Sequence, residues 1–230
     1  MKKVQTYAVQ KDGYRFLLFL IALLAAILAG AQHVNAQTSV DGLSYAPNVY
    51  YQMYDYAGEG NEFASQDVHL QYPPDENGIY QFSVSNGGTT IVFVYQMSSE
   101  GVYELAYFPE TYDVSDLRGH TDVTDTQKSL VFPATLAVGQ EFNRGYRNEQ
   151  AYRVIDILPT FELLEATYYN VVVVEPVVHP EGGEQRFYYA PHIGHIMDEF
   201  IFTEDDENYP VTTSLDTLKG PTYVWPADFK

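Results

Sequence analysis

His192 and His195, with Asp198 and Glu199 just beyond, are the most ligand-like group in the chain. Neutral imidazoles and carboxylates together suit Zn²⁺ or another borderline metal. In an extended strand, residues three apart point to opposite faces, so sharing one ion requires a bend at Gly194. The simpler expectation is a pair of turn and edge-strand histidines. His69, His120 and His179 stand alone and read as surface residues. A second candidate set is Asp113 with Asp116 and Asp122 with Asp125, whose carboxylates offer oxygen ligands to Ca²⁺. The stretch lacks the Asp-x-Asp-x-Asp-Gly order of an EF-hand, and exposed carboxylates usually hold water alone. Glu204-Asp205-Asp206-Glu207 is a further acidic run with no ligand spacing.

Signatures of catalysis are missing. The chain has no Cys, which excludes a thiol nucleophile, and it carries no G-x-S-x-G elbow, H-E-x-x-H or Walker loop. Pairs of carboxylates occur too often in so acidic a chain for any pair to point to glycoside hydrolysis. No catalytic residue and no cofactor is therefore assigned. The chain is instead rich in Tyr, with 21. An apolar ring with a polar tip suits half-wet sheet surfaces and ligand clefts alike, and the plainer expectation is a solvent-facing sheet.

The elements that must position these groups read as strands. From Thr167 to Phe202 the chain predicts a central hairpin. Its first arm carries β-branched residues at successive positions, Val171 to Val174, which suits a strand covered on both faces. Glu181 to Glu184 supplies the turn and residues 185–190 the returning arm. Upstream, 49–56, 62–72, 79–85, 89–97 and 102–108 alternate apolar and polar residues, and Asn86-Gly87-Gly88 suits a tight turn. No sustained 3.6-residue period runs between 47 and 203, so long helices are not expected. Residues 109–129 are polar and acidic, and read as a surface loop or a lid over one end of the sheet. Strands resume near Leu130, at 151–158 and 161–164, and end with Val211 to Leu218. Trp225, the sole Trp, would pin the C-terminus.

Residues 1–36 read as a secretory leader. Lys2, Lys3, Lys11 and Arg15 precede an apolar core from Phe16 to Ala29, and small or permissive residues end at Ala36. Cleavage there leaves 194 residues with 8 basic and 30 acidic side chains, a formal charge of −22. Such a surface disfavours nucleic acid and anionic lipid heads, and no stable membrane insertion is expected once the leader is gone. An exported chain without disulfides points to a Gram-positive bacterium, secreted or held at the cell surface. Residues 37–46 read as a flexible lead-in and 47–230 as one β domain.

Three ordered segments resemble a family of exported bacterial proteins, many of them lipoproteins. Phe132-Pro133-Ala134-Thr135-Leu136-Ala137-Val138-Gly139-Gln140-Glu141-Phe142 is similar to its P-x-x-L-x-V-G-x-x-W stretch. Thr167-Tyr168-Tyr169-Asn170-Val171-Val172-Val173-Val174 looks like its T-F/Y-x-N-V-V strand, and Phe187-Tyr188-Tyr189-Ala190-Pro191-His192-Ile193-Gly194-His195-Ile196 its Y-Y-A-x-G-V-G-x-V/I hairpin end. Gly60-Asn61-Glu62-Phe63-Ala64 is a weaker fourth match. His192 stands where that pattern has Gly, and Leu164-Glu165-Ala166 replaces a Pro-Ala-Gly-type turn. The resemblance implies a curved antiparallel sheet similar to the half-barrel of lipoprotein-carrier (LolA-like) proteins, and implies no activity.

The sequence thus predicts a mainly β protein: one antiparallel curved sheet or half-barrel built as a meander, with a β-sandwich as the alternative. The expected function is non-catalytic binding of an apolar ligand or protein partner on the concave face, aided by the 109–129 loop. A secreted hydrolase with a site assembled from distant residues is the second reading. A calcium-supported surface structural protein is the third.

Overall fold

Alternating apolar residues and short turns build one large sheet. The computed structural model describes residues 38–124, 128–145, 148–181, 183–204 and 207–223. The expected leader, Asp125 and Trp225 lie outside these. The strands are β1 (Ser39–Asp41), β2 (Tyr51–Glu59), β3 (Gln66–Tyr72), β4 (Ile79–Ser85), β5 (Thr90–Ser98), β6 (Gly101–Phe108) and β7 (Ser129–Pro133). Then come β8 (Thr135–Ala137), β9 (Glu141–Arg144), β10 (Gln150–Leu163), β11 (Ala166–Pro176), β12 (Gly183–Ala190), β13 (Gly194–Glu204) and β14 (Glu207–Pro221). One 3₁₀ turn, η1 (Gly42–Tyr45), follows β1.

Strands β2 to β7 form one up-and-down run and β9 to β14 a second. Pairing of β14 with β2 joins them into a 12-stranded antiparallel sheet whose outermost strands are β7 and β9. The sheet is nearly closed and barrel-shaped, so the expected curved sheet is observed and the sandwich alternative is not. Register shifts such as those at Val154/Asp156, Tyr188/Tyr189 and Leu215/Thr217 add local twist and bend the strands toward closure. Across the seam, the Ser129 hydroxyl donates to the Gly145 carbonyl. Leu130 N–H donates to Asn148 Oδ1 at 2.7 Å, and Asn148 Nδ2 donates to the Lys128 carbonyl at 3.3 Å.

The central hairpin forms as the valine run predicts. Val172 and Val174 pair with Tyr189 and Phe187 on the inner face, while Val173 lies beside Tyr188 on the outer face. Phe161, from the far end of the long β10–β11 hairpin, stacks on Tyr188 at 4.9 Å. The hairpin therefore covers part of the outer surface of its own sheet, and all four valines are buried.

Residues 38–46 are not a flexible lead-in. Asp41 Oδ1 accepts from Leu43 N–H, η1 follows, and Leu43, Tyr45, Ala46, Val49 and Tyr50 are buried. Residues 38–50 thus form a plug that crosses one end of the barrel and closes it. Gly42 lies so near Pro133 that a Cβ there would sit 2.0 Å from its carbonyl oxygen, and a Cβ on Gly194 would sit 2.6 Å from the Ala46 oxygen. A crossing chain has carbonyls without ladder partners, and buried hydroxyls supply them. Tyr50 donates to the Leu43 carbonyl at 2.8 Å and Tyr80 to that of Pro47 at 3.0 Å, while Tyr45, on the crossing chain, donates outward to the Asn170 carbonyl of β11 at 2.7 Å. Many tyrosines thus face inward, where apolar rings fill the barrel and hydroxyls satisfy backbone, rather than coating a wet sheet.

The 109–124 stretch is a surface loop, but it is not a lid over the barrel end. It lies on the outer face of β4 and β5, where Gln81 is fully buried. Gln81 Nε2 donates to the Ser115 carbonyl at 2.8 Å and to Gln71 Oε1 at 2.7 Å, while its Oε1 accepts from Leu117 N–H at 2.7 Å. Val94 and Val92, opposite Gln81 and Ser83, are buried on the same face. Among the described residues no helix is long and apolar enough to cross a membrane.

Candidate functional site

The plug closes one end of the barrel and leaves a cavity of about 470 Å³ inside it. Pro47 and Asn48 form its floor, and at the opposite end it reaches Asn86 and Thr89 at the β4–β5 turn. That turn is built as the sequence predicts: Asn86 Oδ1 accepts from Gly88 and Thr89 N–H, and Gly87 takes the positive φ. One wall is aromatic. Phe82 of β4 lies 5.4 Å from Phe93 and 4.9 Å from Tyr95, both on β5. Phe187 and Tyr189 of β12 face them from the other wall. The size suits a small organic molecule, and the lining mixes aromatic and aliphatic surface with polar side chains that include Gln66, Asn86, Thr89 and Ser129.

Four polar features stand in this cavity. Glu104, on β6, accepts from the Tyr95 hydroxyl at 3.2 Å, and burial pushes its carboxyl above the usual range. His195 Nε2 lies 2.7 Å from Asp198 Oδ1 on β13, and its ring packs against those of Tyr56 and Tyr189. The Tyr56 hydroxyl donates to the His195 carbonyl at 3.0 Å, which fixes the segment backbone as well as the ring.

Arg144, the last residue of β9, is the third feature. Its guanidinium sits 3.6 Å over the Tyr152 ring and 4.5 Å from that of Phe187, and Nη1 donates to the Tyr189 hydroxyl at 3.3 Å. Such a group stays charged at every accessible pH. Among the described residues no carboxylate pairs with it, whereas Arg118 and Arg153 each pair with one and Arg186 with two. The fourth feature is Asn48, only 8 % exposed, whose amide oxygen has no hydrogen-bond partner. A buried acceptor left so costs about 1–3 kcal/mol. Its left-handed backbone, φ 59°, accounts for Asn at this position but not for the unmatched oxygen.

The residues singled out from sequence fare differently. The cavity brings His195 and Asp198 together, while His192 packs edge-on to Tyr50 at 5.7 Å, on the plug. Glu199 faces Arg186 at 3.7 Å. Asp116 is held by Arg118 through two side-chain hydrogen bonds of 2.8 and 2.9 Å, which keep its carboxylate below the usual range. Asp122 lies 3.6 Å from His120, Asp113 is exposed, and Asp125 lies outside the described residues. Among the described residues no three His, Cys, Asp or Glu side chains gather closely enough to hold one metal ion.

Sequence reasoning missed Arg144, Glu104 and Asn48. Arg144 had a signal: it shares a strand face with the buried Phe142, two residues earlier, so it is a cation pointing inward in a strongly acidic chain. Glu104 and Asn48 had none, since their setting is made by strands and a plug distant in sequence. Comparison with family models, with curated proteins and with solved structures finds no match to this chain.

Proposed function

We propose that this protein is an exported, non-catalytic binding protein of the bacterial surface or medium, and that it holds a small, largely apolar ligand inside the barrel. The observation that carries this reading is the aromatic cavity of about 470 Å³, closed at one end by the plug. A site of this size, on strands braced outside by the 109–124 loop and the β10–β11 hairpin, needs little rearrangement to receive a ligand. Export rests on the leader pattern of residues 1–36.

The test uses calorimetric titration with 4-phenylbutan-1-ol, a neutral molecule with an aromatic body. Saturable one-to-one binding is expected, and Ile91→Trp, which fills the cavity from β5, should abolish it while melting stays cooperative. No saturable binding by the parent protein, or full binding by a folded Ile91→Trp variant, removes the reading.

A secreted hydrolase is the second reading, favoured by one observation: the His195–Asp198 pair and the raised Glu104 line the same cavity. A histidine oriented by a carboxylate is the usual form of a general base. Steady turnover of p-nitrophenyl butyrate, lost in His195→Gln with folding intact, would replace the binding reading with this one.

A further inference from the structure

We propose that the ligand of the barrel cavity is a small aromatic carboxylate whose anionic group pairs with Arg144 and whose body carries a hydrogen-bond donor for Asn48. This rests on the binding reading above and specifies the chemistry of the same site.

Charge carries the first half. Twelve basic side chains face 31 acidic ones in this chain, so a guanidinium without an acid is unusual here. Arg118, Arg153 and Arg186 have found carboxylates, at 2.8, 2.7 and 3.0 Å. Among the described residues Arg144 instead has two aromatic faces and the phenol groups of Tyr189 and Tyr152. These contacts hold its plane at the cavity wall, and a planar carboxylate matches a guanidinium fork two bonds at a time. The two acids in the cavity do not cancel it. Asp198 is engaged by His195, and Glu104 accepts from Tyr95 on the other wall.

Asn48 carries the second half independently. Its amide oxygen is buried and unmatched beside the cavity floor, and a turn of the amide toward the cavity would give it the ligand O–H or N–H that it lacks. Between these ends the aromatic set of Phe82, Phe93, Tyr95 and Phe187 suits a flat ring better than a branched aliphatic body. At the packing density of organic matter the volume takes at most roughly 20 to 25 non-hydrogen atoms.

The experiment titrates the full-length chain with three probes: 4-phenylbutyrate, its neutral counterpart 4-phenylbutan-1-ol, and 4-(4-hydroxyphenyl)butyrate. The acid should bind at least about tenfold more tightly than the alcohol, as a charge-assisted bidentate pair implies. Arg144→Met, which keeps the apolar stem on Tyr152 and Phe187, should erase that preference, bringing acid and alcohol affinities to within about threefold of each other. Glu104→Gln removes a carboxylate from the cavity and should strengthen acid binding alone. The hydroxylated acid should bind several-fold tighter than 4-phenylbutyrate, a gain that disappears in Asn48→Ala. Equal affinity for acid and alcohol in the parent, or a preference that survives Arg144→Met, overturns the anionic ligand while the apolar cavity stands. No gain from the phenol overturns the role of Asn48. Failure of every probe to bind the parent takes the binding reading down with the proposal. Should Arg144→Met not fold, the parent's acid-to-alcohol ratio and the response of Glu104→Gln decide the matter.

Discussion

Leu164 and His192 both hold the left-handed backbone region, at φ 52° and 58°, and both stand where a glycine-type turn would be natural. A side chain there costs about 1–2 kcal/mol against the right-handed region, whereas glycine costs only its extra unfolded-state freedom, about 0.5–1 kcal/mol. Their surroundings differ. Leu164 opens the two-residue turn between Leu163 and Ala166 and is 57 % exposed, so its side chain contributes little packing. His192 packs its ring edge-on to Tyr50, and its N–H donates to the Ser44 carbonyl at 2.7 Å, which ties the β12–β13 turn to the plug. Leu164→Gly should therefore raise stability by up to about 1 kcal/mol, seen as a higher urea midpoint at unchanged slope. His192→Gly gains the same backbone relief but loses a ring contact of about 0.5–1 kcal/mol, so it should change stability by less than about 0.5 kcal/mol. A His192→Gly variant more stable than Leu164→Gly would mean that the histidine ring repels its neighbours rather than holding them.

Elements whose partners are near in sequence were legible, and those completed by distant chain were not. The β4–β5 hairpin, with its Asn86-Gly87-Gly88 turn, and the doubly buried valine strand follow from alternation, turn chemistry and β-branching. The covering of β4 could not be read so. Gln81 alternates with Tyr80 and Phe82 and looks like a solvent-facing residue, yet the 109–124 loop lies upon it. Nor could the plug, since Gly42 and Tyr45 become core residues only when the strand ends at Pro133 and Gly194 are in place. The same holds for the cavity, whose cation, acid and unmatched amide come from β9, β6 and the plug. The Gln81 clasp has a measurable consequence. Gln81→Leu fits the buried space but leaves the Ser115 carbonyl and Leu117 N–H without partners, which should cost about 2 kcal/mol. Hydrogen exchange should locate the change, with Leu117 losing protection and the β11–β12 amides keeping theirs. Unaltered protection at Leu117 would mean that the loop is held by contacts other than this clasp.

As a whole, the barrel is fastened in two different ways around its circumference. Backbone ladders join every neighbouring pair from β7 round to β9, but β7 and β9 themselves are bridged by side chains. A seam of this kind opens at lower cost than a ladder, because few hydrogen bonds must break together. It lies beside the cavity, which Ser129, Leu130, Arg144 and Gly145 help to line, so opening there would bear directly on ligand access. Asn148 is the central fastening, as it accepts from Leu130 N–H, donates to the Lys128 carbonyl, and sits at φ 55°. Asn148→Gly keeps a residue content with that backbone and removes only the amide. The variant should lose about 1–2 kcal/mol, the worth of two partly buried hydrogen bonds. Exchange at Leu130 N–H should quicken most, while β2, β13 and β14 retain their protection. Binding of 4-phenylbutyrate, if its entry is by the seam, should show faster association and dissociation with little change in affinity, since the cavity lining is untouched. A uniform loss of protection would show instead that the barrel opens only by global unfolding. Unchanged rates with quicker exchange at Leu130 would place ligand entry at the Asn86–Thr89 mouth and leave the seam a purely structural closure.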